Sequence, residues 1–157
     1  MENESRDLAL IAWREDGRWR VSKLPTGATN DIGLVLDALR AQQNNGGALA
    51  MLSIDDEFII LARLLGVNMQ MALSDVTTAL DYEIAAEVLE LGDIEFPVDE
   101  DPMEPAGDLN LFSDLGLDEM ELRMICEDTD MYPEEQIEII ANRLGFAEEL
   151  AEMIDGD

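Results

Sequence analysis

Apolar and polar positions change period several times along the chain, and each change predicts an element. Residues 8–14 and 18–24 are short apolar-rich runs flanking Glu15-Asp16-Gly17. Asp-Gly between two such runs predicts a β-hairpin, since its tight turn needs residues that accept positive φ. With Asp16-Gly17 as a two-residue turn, Arg14 faces Trp19 and Trp13 faces Arg20, so each indole can lie beside a guanidinium across the strands. An ordinary cross-strand pairing is one reading, and a binding surface built from Trp13, Trp19 and these arginines is the other. After a loop over residues 25–30, Thr29 or Asn30 can cap a helix whose Ile32, Val35, Leu36 and Leu39 share one face. Asn44-Asn45-Gly46-Gly47 stops that helix, and residues 48–53 and 57–65 form a second hairpin around Asp55-Asp56. Phe58-Ile59-Ile60-Leu61 is apolar on both faces, as a central strand must be. Residues 69–73 give a fifth strand, its Met69 and Met71 read as core. Ser74-Asp75 can then cap a second helix bearing Val76, Leu80, Ile84, Val88 and Leu91.

The order strand, strand, helix, strand, strand, strand, helix (ββαβββα) makes residues 1–91 an α+β domain: an antiparallel sheet of about five strands covered by two helices. Residues 92–107 break both periodicities and carry Pro97, Pro102 and Pro105 among six acids, which reads as an acidic linker. The C-terminal segment, 108–157, reads as a small all-helical module. Leu115-Gly116-Leu117 and Leu144-Gly145-Phe146 are two helix stops of one design, each with a glycine free to take the left-handed conformation. Asp118 and Glu121 have the spacing of a capping box, Pro133 suits a first helical position, and Ile137, Ile140, Ala141 and Leu144 form a buried stripe. So small a module needs the sheet domain or a partner to lean on.

Charge sharpens the division. The chain has 157 residues with 37 acidic against 9 basic side chains, a formal net charge of −28. Beyond Asp75 the only cations are Arg123 and Arg143, so the second half is strongly anionic while the first forty residues are nearly neutral. Such a field repels phosphate backbones and excludes direct nucleic-acid binding; its natural complement is a basic protein surface. A lone cysteine, Cys126, and the absence of a basic-then-apolar leader or a long apolar span lead us to expect a cytoplasmic protein without disulfide or membrane segment. Cys126 lies in the run Met124-Ile125-Cys126 and reads as a small buried hydrophobe. Asp99, Asp101 and Glu104 lack the glycine and terminal glutamate of a calcium loop, so no metal or other cofactor is expected. With no histidine and one cysteine, the chain cannot assemble the zinc set of a nucleobase deaminase or a serine-histidine-acid triad. No phosphate-cradling Gly-rich loop is present either. The expectation is a protein that is not an enzyme.

Two resemblances follow. Asp114-Leu115-Gly116-Leu117-Asp118 resembles the segment of acyl carrier proteins before their phosphopantetheine serine, but Glu119 stands at the serine position and cannot accept the prosthetic group. Over nearly the whole chain, the early hairpin, the first helix, the two central strands, the acidic gap, Gly107-Asp108, Asp114-Leu115-Gly116 and the Leu-Gly-Phe-Ala-Glu-Glu-Leu run resemble the bacterial tRNA adenosine deaminase-associated proteins. That resemblance implies association with a tRNA adenosine deaminase and carries over no catalytic residue. The expected function is therefore an accessory or regulatory binding protein, docking on a basic partner surface through Asp118, Glu119, Glu121, Glu134 and Glu135. The alternative is a nucleic-acid mimic, whose carboxylates imitate phosphates and inhibit a DNA- or RNA-binding protein.

Overall fold

The computed structural model describes residues 7–42, 47–99 and 101–155. The N-terminal residues 1–6 and most of the Asn-Asn-Gly-Gly helix stop lie outside the described residues. The fold is α+β, organised around one antiparallel sheet of six strands in the order β2-β1-β3-β4-β5-β6. Its strands are β1 (Leu8–Glu15), β2 (Arg18–Lys23), β3 (Ala48–Ile54), β4 (Phe58–Leu65), β5 (Asn68–Leu73) and β6 (Ala106–Gly107). The helices are α1 (Ile32–Gln42), α2 (Glu83–Leu91), α3 (Glu119–Glu127), α4 (Pro133–Leu144) and α5 (Ala147–Asp155).

The first hairpin has the register its turn dictates: Trp13 pairs with Arg20 and Arg14 with Trp19. Asp16 and Gly17 both take positive φ, at 55° and 78°. The second hairpin closes through Asp55 and Asp56, also at positive φ, with the Glu57 N–H donating to the Ile54 carbonyl at 2.8 Å.

Strands β3 and β4 are buried on both faces, and alternation along them feeds two cores. Ala50, Leu52, Ile60, Ala62 and Leu73 face α1 and α2 together with Val35, Leu39, Ile84 and Val88. Leu49, Met51, Ile59, Leu61 and Ala72 face the other way, onto Phe112, Leu122, Ile137, Ile140, Phe146 and Leu150. The helical segment therefore covers the second face of the sheet: α4 lies across β3 and β4, and α5 packs on β2. The surface left apolar on both faces of β4 is what draws it there.

Two elements differ from the sequence expectation. The helix predicted from Val76 to Leu91 is two pieces, because Asp75 caps only a short 3-10 turn (Val76–Leu80) and Tyr82 is extended before α2 begins. At that break the Tyr82 ring packs against Phe58, tilted, with ring centres 4.9 Å apart. Leu80, at the end of the 3-10 turn, and Leu91, at the end of α2, both expected on the buried stripe, are exposed, while Ile84 and Val88 are buried. The second difference is the sixth strand: the last two residues of the acidic connection pair with β5, Gly107 opposite Ala72 and Ala106 opposite Leu73. The Asp108 N–H then donates to the Met71 carbonyl at 2.8 Å and its carboxylate accepts the Met71 N–H at 3.2 Å, so the connection is stitched to the sheet before the helices start.

An ion pair between a buried arginine and an exposed aspartate makes the next attachment. Arg63 on β4 is only 4% exposed; it donates to the Leu111 carbonyl at 3.0 Å and grips both carboxylate oxygens of Asp114. The guanidinium hydrogen bonds hold the Asp114 carboxyl below its ordinary range. Gly116 and Gly145 end their helical turns in the left-handed conformation, φ 105° and 106°, as the paired stops predict.

Candidate partner-docking face

The five acids singled out by sequence fall into two groups. Asp118 caps α3, its carboxylate accepting the Glu121 N–H at 2.8 Å, and Glu119 is exposed on the first turn beside it. Glu121 pairs with Arg143 at 2.8 Å, and the guanidinium lowers its carboxyl below the usual value. On α4, Glu135 accepts the Tyr132 N–H at 2.9 Å, the return bond of a helix start, while Glu134 lies partly buried next to it. Arg143 at the end of α4 meets the start of α3, and Gln136 near the start of α4 meets the end of α3, so the helices run in opposite directions. Their two N-termini lie at opposite ends of the pair. The structure thus joins Asp118, Glu119 and Glu121 in one place and Glu134 and Glu135 in another, without bringing the two sets together.

The second group borders the more developed surface. A groove of about 360 Å³ is lined by Glu134, Glu135 and Glu138 with Asp56 and Tyr132. It shares Asp56 and Tyr132 with a cleft of about 400 Å³ running between the β3–β4 turn, the segment before β6 and the α3–α4 connection. Asp56, Glu57, Asp75, Glu104, Glu127 and Asp128 line that cleft, and no lysine or arginine does. At its rim Tyr132 and Met103 are each 66% exposed, apolar groups of the kind that anchor protein interfaces.

Cys126 contributes to the cleft wall as a buried thiol, pushed up to about 12 by desolvation and by the neighbouring Glu127, so it is a thiol rather than a nucleophilic thiolate. Among the described residues no three histidine, cysteine or carboxylate side chains converge as a metal site, and no helix is long and apolar enough to cross a membrane. The tryptophans of the first hairpin are packed. Trp13 lies half-buried against the first core, while Trp19 packs tilted against Phe146, ring centres 4.9 Å apart, with the Arg14 guanidinium 5.5 Å from its ring centre. The Trp19 indole is thereby used to join the sheet to the start of α5.

Sequence reasoning did not find the cleft, because its walls come from positions as distant as 56, 75, 104 and 128. One signal was available: Gln136 sits on the buried stripe of α4 beside Ile137 and Ile140, a polar residue on an apolar face that calls for a reason.

Comparison with known proteins places this architecture. A family model described as Rv3753c-like tRNA adenosine deaminase-associated protein matches residues 7–147. Protein Rv3753c of Mycobacterium tuberculosis is 42% identical over 146 residues, covering 90% of this chain and 84% of that protein. No solved structure matches the chain. The family match spans both the sheet and the helices that cover its second face, and with the 42% identity it shows that the chain belongs to the Rv3753c-like tRNA adenosine deaminase-associated protein family.

Proposed function

We propose that this chain is a non-catalytic accessory protein of a tRNA adenosine deaminase, docking on a basic surface of that enzyme through its acidic helical face. The observation that carries the reading is the face at the start of α4, where Glu134, Glu135, Glu138 and Asp56 surround the exposed Tyr132 without a cation among the lining residues. The carboxylates there set an acidic field around an aromatic anchor, which steers a basic partner and then gives it something to bury. By contrast Glu121 is already paired with Arg143, so the start of α3 has less free charge to offer. The family description supplies the candidate partner. The lack of histidine supports a non-catalytic role, since the zinc chemistry must then come from the enzyme.

The test is co-purification with the deaminase encoded by the same organism, at low and high salt, using the wild type and a Glu134→Lys/Glu138→Lys variant. The expected result is a complex that weakens about tenfold or more on charge reversal and dissociates as salt rises. A parallel Asp118→Lys/Glu119→Lys variant is expected to have the smaller effect. Absence of a complex, or one indifferent to both reversals and to salt, would overturn the reading. A protein that instead competes nucleic acid off the enzyme would establish mimicry in its place.

A further inference from the structure

We propose that the cleft between the β3–β4 turn, the end of α3 and the start of α4 is a socket for one guanidinium group, presented by an arginine side chain of a basic protein segment. The walls alone, with Asp56, Glu57, Glu127 and Asp128, would attract any cation. The floor is more selective. Gln136, 5% exposed, turns its amide nitrogen back onto the carbonyls of Ile125 at 2.8 Å and Cys126 at 3.4 Å. Because both partners are acceptors, the orientation of the amide is fixed, and Oε1 faces away from them with no donor among the described residues. Asp75, also buried, accepts both the N–H and the hydroxyl of Thr77 on Oδ1, at 2.9 and 2.6 Å, and Oδ2 has no donor among the described residues. Two buried acceptors on the cleft lining therefore have no protein donor among the described residues and are available to a ligand's N–H groups.

Only a donor-rich group completes such a floor, and the wall charge requires it to be cationic. A guanidinium has five donors in one plane and sheds water more readily than an ammonium. Met103, Met131 and Tyr132 line the same cleft and suit the rest of an arginine, apolar surface for the stem and a ring face for the cation. The inference rests on the docking reading only for what carries the arginine.

The test is an NMR titration of the ¹⁵N-labelled protein with N-acetylarginine amide, N-acetyllysine amide and the neutral isostere N-acetylcitrulline amide. With the arginine probe we expect saturating shifts confined to the Gln136 side-chain amide and the backbone around Asp75 and Asp128. Lysine is expected to bind about fivefold more weakly and citrulline not at all. Asp75→Asn keeps an oxygen for the Thr77 cap but removes the charge, and is expected to weaken arginine binding about fivefold or more; Gln136→Met should do the same. Glu148→Gln, outside the cleft, should change nothing. If Gln136→Met does not fold, Asp75→Asn decides the matter. Shifts that fail to saturate, that spread over the whole acidic surface, that appear equally with citrulline, or that survive Asp75→Asn would overturn the socket. Arginine binding without any deaminase complex would keep the socket and remove the deaminase as its partner. A salt-sensitive complex with a silent cleft would do the reverse.

Discussion

At the scale of single residues, Gly107 and Asp114 are where the acidic connection is tied to the sheet. Gly107 sits at φ +99°, and a β-carbon built there would lie 2.9 Å from the Ala72 Cα. Gly107→Ala therefore meets both backbone strain and a clash with the backbone of Met71 and Ala72 near the end of β5, and should cost about 2–3 kcal/mol, read as a lower urea midpoint with unchanged slope. Asp114 gives a pH signature. Its carboxyl is held below its ordinary value of 3.8 by Arg63, so its contribution is fully present above that value and is lost as pH falls through the depressed folded value. Because the Asp114 side chain is 60% exposed, the loss in Asp114→Asn at pH 7 should be only about 1 kcal/mol. The gap to wild type should narrow in urea titrations below pH 3.8. Asp7 works in the opposite sense: burial raises its carboxyl, so its contribution is present below the ordinary carboxylate value and is lost as pH rises through the raised one.

At the scale of elements, caps and turns were the legible part. The Asp16-Gly17 hairpin, Pro133 at the start of α4 and the stops at Gly116 and Gly145 all follow from local chemistry. The Asp118 cap allows a docking role to be separated from a structural one. Asp118→Ala should cost about 1 kcal/mol through the lost bond to the Glu121 N–H, while Glu119→Ala, on an exposed side chain, should leave the melting temperature within about a degree. If both variants weaken partner binding equally, Asp118 acts there through its charge as well as its cap. What local chemistry could not foresee was the break at Tyr82, because the apolar spacing from Val76 to Leu91 is compatible with one continuous helix. At the interruption the Tyr82 ring meets Phe58, a residue distant in sequence. Strand β6 was hidden for a related reason: two residues, Ala106 and Gly107, carry no alternation to recognise.

At the scale of the molecule, charge opposes compaction. A formal −28 on 157 residues produces self-repulsion that the folded state concentrates and salt screens. The melting temperature should therefore rise by several degrees between about 10 mM and about 0.5 M sodium chloride, measured by calorimetry. Partner binding should weaken over the same range, so salt is expected to move stability and association in opposite directions. Parallel loss of both would mean that the acidic face contributes attractions within the fold rather than a field directed outward.

The sequence by itself determined the α+β class, the first hairpin and its register, the buried central strands and the helix stops, because each depends on the local pattern of neighbouring residues. Tertiary structure decided that the helical segment closes the second face of the sheet, that Arg63 receives Asp114, and that Glu134 and Glu135 line a groove while Glu121 is held by Arg143. Those outcomes depend on distant segments meeting: both faces of β4 are apolar, and apolar surface in water must be covered by whichever part of the chain can reach it.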